Sequence, residues 1–289
     1  MKKKKTAILI VCAVMVIVAV VSALFIPKVK YGIANILINE YIAQDLKNVD
    51  NTELIASCSD VDSNGSTTAG FKETLRLGAD SVIVDLCFKK DGTPVMCSDY
   101  SEAENAPTIE SLFIAMNDEK FRNATVYLRV VQLSDMATLN ELSVKYNVLD
   151  RLFLIGIDEK HYGLITSDDT IVPFFLDYRF SDDEIKSTKD NSFRLPDIIE
   201  KYDAAGLVID SSQVSEELTD YLDGYEIPFL VQNISTDREM CFSIISGGQR
   251  VIVKKPQRAR EILDLWTTEM QKRYESSVEK SLRELSEKN

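Results

Sequence analysis

Five aspartates sit at or just past the ends of short apolar runs: Asp85, Asp99, Asp158, Asp177 and Asp210. Carboxylates gathered at such ends can hold a hard divalent cation and activate water on it. Lys254 and Lys255 follow the last apolar run, a place where α/β barrels bind phosphate; two rim lysines balancing nearby acids is the plainer reading. The chain has one histidine, His161, in a helical stretch where a solvated or packed ring is expected. The five cysteines, Cys12, Cys58, Cys87, Cys97 and Cys241, show no CxxC pair and no zinc spacing. A disulfide framework is not indicated, though one bond among the last four is compatible with the spacing.

The elements that must position these residues alternate. The apolar runs Leu54–Ala56, Val82–Leu86, Thr125–Val131, Leu152–Ile155, Ile171–Leu176, Gly206–Ile209, Pro228–Val231 and Val251–Val253 read as buried strands. Helical stretches lie between most of them: Thr67–Leu77, Thr108–Met116, Ser134–Tyr146, Ser215–Leu222 and Thr236–Ile245, with Gln257–Leu263 last. Eight strands alternating with helices predict parallel βα units closed into a TIM (β/α)8 barrel over residues 53–266; an open doubly wound sheet is the alternative. Residues 267–289 form a charged tail of helical composition.

The N-terminus is of another kind. Lys2 to Lys5 precede an uncharged run, Ala7 to Ile26, apolar except for Ser22. At about 1.5 Å per residue such a run spans a bilayer core of about 30 Å. Lysines before the span predict a cytoplasmic N-terminus and a domain outside the cell. A cleaved signal peptide is the rival; against it, the apolar run continues past the candidate cleavage site at Ala23. Residues 31–52 read as an amphipathic stalk. No acid occurs in residues 1–30 and six of the 33 basic residues do, so the rest carries 27 bases against 46 acids, a net −19. That charge repels phosphate backbones and speaks against nucleic acid as a partner.

One stretch is more specific than any composition. Gly78-Ala79-Asp80-Ser81-Val82-Ile83-Val84-Asp85, then Lys90-Asp91-Gly92-Thr93-Pro94-Val95 and Ser98-Asp99, resembles the glycerophosphodiester phosphodiesterase signature "GAD-x-x-E-x-D", "KDG-x-PV" and "HD", without a gap. Ile55-Ala56-Ser57-Cys58-Ser59 stands where that family has "IAHRG", and Asn64-Gly65-Ser66-Thr67 where it has "PENT". Pro107-Thr108-Ile109-Glu110 is similar to its "PTLE", and Tyr127–Val131 takes the place of its "NIEIK" strand.

The resemblance implies the barrel and most of a lost active site. The family's two histidines are Ser57 and Ser98 here, and neither hydroxyl shuttles protons near pH 7. Its phosphate arginine is Cys58. Of its metal carboxylates only Asp85 remains, with Gly65, Ile83 and Arg129 in the other places and Val131 in place of a lysine. Only seven residues separate Asp99 from Pro107, where the family carries an insertion. The register predicts that Arg129 fills the metal's space and bonds Asp85. The expected protein is a membrane-anchored, non-catalytic barrel without cofactor. It binds a phosphoglycerol-type ligand, from lipid or wall polymer, or a membrane-protein partner. Asp85, Asp99, Arg129, Lys254 and Lys255 are the candidate ligand contacts. An active phosphodiesterase using Ca²⁺ or Mg²⁺ at a rearranged site is the alternative.

Overall fold

A computed structural model describes Val49 and residues 51–61, 65–132, 134, 136–158, 161–162, 170–188, 195–269 and 272. The chain divides into Met1–Leu46 and Lys47–Asn289. The expected membrane span, nearly all of the stalk and most of the tail lie outside the described residues. Among the described residues no helix is long and apolar enough to cross a membrane.

Eight parallel strands form the barrel. They are β1 (Glu53–Ser57), β2 (Ser81–Phe88), β4 (Thr125–Val130), β5 (Leu152–Ile157), β6 (Phe174–Asp177), β7 (Gly206–Asp210), β8 (Phe229–Gln232) and β9 (Arg250–Ile252). Each pairs with the next, and β1 pairs with both β2 and β9, which closes the sheet. Strand β3 (Pro94–Met96) is antiparallel on β2. Every residue of β2 is buried, as a strand covered on both faces must be.

Side chains alternate across each strand, so one residue from each fills the same layer. Ile55, Ile83, Tyr127, Ile155, Phe175, Val208 and Leu230 make that layer, with Phe153 and Ile252 against it. Tyr127 stacks on Phe153 at 5.7 Å, and the edge of Phe175 meets both rings. Below this layer Glu53 accepts from Arg250 Nε (3.2 Å), from the Tyr127 hydroxyl (3.4 Å) and from Ser81. Burial, and then the negative charge of Glu53, push the Tyr127 phenol far up, with Arg250 pulling the other way.

The helices are α1 (Cys58–Val61), α2 (Thr68–Arg76), α3 (Ile109–Met116), α4 (Ala137–Lys145), α5 (Asp182–Thr188), α6 (Leu195–Tyr202), α7 (Glu216–Gly224), α8 (Asp237–Ile245) and α9 (256–269). Side-chain caps fix several starts. Thr67 accepts from Gly70 N at 3.0 Å, Ser215 from Leu218 N at 3.3 Å, and Thr236 and Glu239 form a reciprocal capping box.

The barrel expected from the alternation is present, with differences at particular elements. The strand expected from Ile171 starts at Phe174. Pro173 has no N–H for the ladder, and Ile171 N is held by the Asn140 side chain instead. The helix expected from Ser134 starts at Ala137. Helix α9 runs past Leu263 to residue 269, burying Trp266, so the first residues of the expected tail continue a packed helix. Strand β3 and helices α1, α5 and α6 were not expected.

Candidate functional site

Asp85 follows Ile83 by two residues on β2, so it faces the barrel interior one step nearer the C-terminal mouth. Arg129 lies directly opposite on β4. Its Nε donates to Asp85 Oδ1 at 2.6 Å, the ion pair expected from the matched register. The other carboxylate oxygen accepts from Ser66 Oγ at 3.0 Å and from Ser98 Oγ. Ser66 Oγ in turn accepts from Asp85 N at 2.9 Å. Asp85 is fully buried, so these donors replace the water it has lost.

The guanidinium faces a second set of hydroxyls. Arg129 Nη2 donates to Ser59 Oγ at 3.3 Å and Ser57 Oγ at 3.5 Å, and those two hydroxyls bond each other at 2.7 Å. The Arg129 side chain keeps 42% of its surface exposed, which leaves N–H groups turned to the mouth. Gly156 makes room for it. Its φ is +78°, and a Cβ there would stand 3.4 Å from Arg129 Cγ and 3.3 Å from Val130 O. The β5–β6 register shifts at the same point, between Leu154 and Ile157.

This donor set does not fit a divalent cation. Both oxygens of Asp85 already accept from a guanidinium and two hydroxyls, and a permanent cation stands beside them. Among the described residues no group of three or more His, Cys, Asp or Glu side chains is placed to hold a metal. Ser57 and Ser98, where the resemblance implies histidines, contribute hydroxyl contacts to the same cluster. Ile83, at an implied metal position, is part of the apolar layer. Cys58 is buried at the start of α1.

The other expected residues are placed elsewhere. Asp99 Oδ1 caps a 3-10 turn at Tyr100–Asn105, accepting from Ser101 N and Ser101 Oγ at 2.8 Å each. Those backbone and hydroxyl bonds hold the Asp99 carboxyl below its ordinary value. Lys254 and Lys255 are exposed and line a groove with Asp60, Arg258 and Glu261 at the start of α9. Asp210 accepts from Ser212 and from Asn233 Nδ2 (2.7 Å), which holds its carboxyl low against partial burial.

Sequence reasoning missed two features. Ser66 and Ser59 complete the hydroxyl ring; their signal was a hydroxyl beside each degraded motif. The second feature is on the β5–β6 side. Asp177 shares the inward face of β6 with Phe175, and its Oδ1 is buried without a hydrogen-bond partner. Burial, then the charge of Asp158, pushes its carboxyl up to about 6, with His161 pulling the other way. His161 Nδ1 lies 2.8 Å from Asp158 Oδ1. His161 is thus a half-exposed helix residue, as expected, and it pairs with an acid there.

No protein-family model and no curated protein sequence matches the chain. Solved structures do. A glycerophosphodiester phosphodiesterase from Agrobacterium tumefaciens is 15% identical with a TM-score of 0.54, over 72% of this chain and 97% of that one. One from Parabacteroides distasonis is 13% identical with a TM-score of 0.55, over 74% and 97%. An Oleispira antarctica phosphodiesterase, solved with its product sn-glycerol-3-phosphate, is 14% identical with a TM-score of 0.51, over 73% and 96%. The described barrel therefore has the fold of the glycerophosphodiester phosphodiesterases.

Proposed function

We propose that this chain is a membrane-anchored barrel, outside the cell, that binds a phosphoglycerol-type group at its mouth and serves as a binding or scaffold module. It does not use the metal-dependent hydrolysis of the enzymes whose fold it shares. The observation that carries this reading is the Arg129–Asp85 ion pair inside a ring of serines. A hydrolase of this type needs an acid, a base and a cation at that place. Here the carboxylate is neutralised, the hydroxyls cannot move protons near pH 7, and the guanidinium offers free N–H groups suited to a phosphoryl oxygen. The product complex of the Oleispira antarctica protein makes sn-glycerol 3-phosphate the probe of choice.

The test is a titration of full-length protein in detergent with sn-glycerol 3-phosphate, followed by NMR. Shifts centred on Ser57, Ser59 and Arg129 that vanish in Arg129→Gln support the reading. Shifts unchanged in Arg129→Gln but lost in Lys254→Ala/Lys255→Ala would move the site to the α9 groove. A parallel assay supplies glycerophosphocholine with Ca²⁺ or Mg²⁺. Turnover abolished by Asp85→Ala would replace this reading by that of an active, rearranged phosphodiesterase. Calorimetry showing micromolar Ca²⁺ binding lost in Asp85→Ala would do the same.

A further inference from the structure

Two of the cysteines lie together beside Asp85, and the proposed function makes no use of them. Cys87 is on β2, two residues past Asp85 and on the same face. Cys97 follows β3 directly, and its amide extends the β2–β3 ladder, donating to Asp85 O at 3.0 Å. The two residues are diagonal neighbours across that ladder. Cys87 Sγ donates to Cys97 O at 3.1 Å, and Cys97 Sγ to Asp99 O at 2.7 Å. With Val95 and Ala103 they form one small buried cluster. Cys58 belongs to α1 and Cys241 to α8.

We infer that Cys87 and Cys97 are a disulfide site, joined when the domain meets an oxidising, disulfide-bearing environment, and that the bond straps the Ser98 segment onto Asp85. The inference rests on the reading that the domain is exported, because thiols persist in the reducing interior of most cells. Cys87 Sγ already lies against the Cys97 carbonyl and both side chains fill the same buried cluster, so side-chain rotation with a backbone adjustment closes the bond. Burial, and then the neighbouring Cys97, push the Cys87 thiol up to about 12. A thiol so protonated attacks slowly, which places oxidation during folding, before the cluster closes. In the exchange the thiolate of one cysteine attacks the disulfide of a thiol–disulfide oxidant and expels one of its thiols. The second thiolate then displaces the oxidant. One S–S bond forms and one breaks, and the two electrons and two protons leave on the oxidant, now a dithiol.

The consequence is local. Ser98 follows Cys97 and supplies one of the two hydroxyls on Asp85 Oδ2. A bond between Cys87 and Cys97 holds that hydroxyl where it caps the carboxylate, and with it the position of Arg129.

Full-length protein is refolded in oxidised glutathione, alkylated in denaturant and digested with trypsin without reduction. Trypsin cuts at Lys89 and Lys90, between the two cysteines. The expected product is a linked pair of peptides carrying Cys87 and Cys97, with alkylatable thiols falling from five to three. Cys97→Ser should retain four thiols and no linked pair. All five thiols alkylated in the wild type, or a bond to Cys58 or Cys241 instead, would overturn the inference. Protein from cells lysed into alkylating agent tests the supporting reading separately. A bond that forms in the tube but is missing in cells refutes export into an oxidising space and leaves the pair itself standing.

Discussion

At the residue scale the mouth is governed by charge burial. Asp85 is held by one guanidinium and two hydroxyls, and removing the guanidinium alone leaves a buried carboxylate with only its two hydroxyl partners. Breaking a buried pair this way costs about 3–5 kcal/mol, and the exposure of Arg129 reduces it. Arg129→Leu is therefore expected to lose about 2 kcal/mol in urea denaturation. Asp85→Asn/Arg129→Leu should lose less than the two single changes summed, by at least about 1 kcal/mol in the double-mutant cycle. Additive losses would mean that the pair is not coupled. Asp177 presents the opposite case, a carboxyl with no counter-charge on its buried oxygen. Its pKa is raised to about 6 from the ordinary 3.8, so the folded state holds this proton more tightly than the unfolded chain. Its contribution to stability is then fully present below about pH 4, falls as pH rises to about 6, and stays low above that. Asp177→Asn should flatten that window and be more stable than wild type at pH 8 by about 1–3 kcal/mol, one pKa unit being worth about 1.4 kcal/mol. Urea melts from pH 4 to 8 measure it; parallel curves for the two proteins would contradict it.

At the element scale, two kinds of local constraint are testable. Gly206 starts β7 where a Cβ would fall 2.3 Å from Pro228 O and 2.6 Å from the Phe175 ring. Neither neighbour can withdraw, since Phe175 is wedged in the barrel layer and Pro228 O accepts from Leu207 N. Gly206→Ala is expected to cost about 3 kcal/mol or more through overpacking. A loss below about 1 kcal/mol in thermal or urea unfolding would show that the barrel gives way there. Helix starts are the second kind. Ser181 and Glu184 form a reciprocal cap before α5: Ser181 N and Oγ donate to Glu184 Oε2 at 2.7 and 2.8 Å, and Glu184 N donates back at 3.3 Å. That S-x-x-E spacing is visible in the sequence and marks a helix. The stretch that follows is polar and lacks an apolar stripe, so periodicity does not reveal the helix. Strand β3 was invisible for a different reason. Three residues are too short for periodicity, and Val95 and Met96 count as strand only because β2 lies beside them.

At the scale of the whole molecule, the lysine block and the apolar run predict that residues 52–289 stand outside the cytoplasm. Protease added to intact, wall-stripped cells should degrade the barrel and leave a short N-terminal fragment. Full protection would contradict export, and barrel recovered in the medium would point to a cleaved signal peptide. The acidic surface and the Arg129 guanidinium act in opposition on an anionic ligand. Binding of sn-glycerol 3-phosphate should therefore tighten as salt rises to about 0.15 M, where the remote acids are screened and the close Arg129 contact is screened less.

The barrel was legible in the sequence because apolar runs of strand length recur between helical stretches, and burial on both faces leaves a strand no polar positions to confuse the pattern. The Arg129–Asp85 pair was legible too. It needed only the strand register, since facing residues on neighbouring strands lie about 4.8 Å apart. What the sequence could not decide is where hydroxyls and acids from distant segments come together. Ser66 reaches Asp85 because Gly65 turns its chain with a φ of +73°, and Ser98 because β3 folds back on β2. Asp99 and Asp85 looked alike as strand-end carboxylates, yet one caps a turn in water and the other is sealed from it. His161 carried no motif, and only the approach of β5 and β6 set its acid partner beside Asp177. Periodicity records which face of an element is buried. Which polar groups meet over the mouth depends on loop paths and barrel closure, and these exist only in the folded chain.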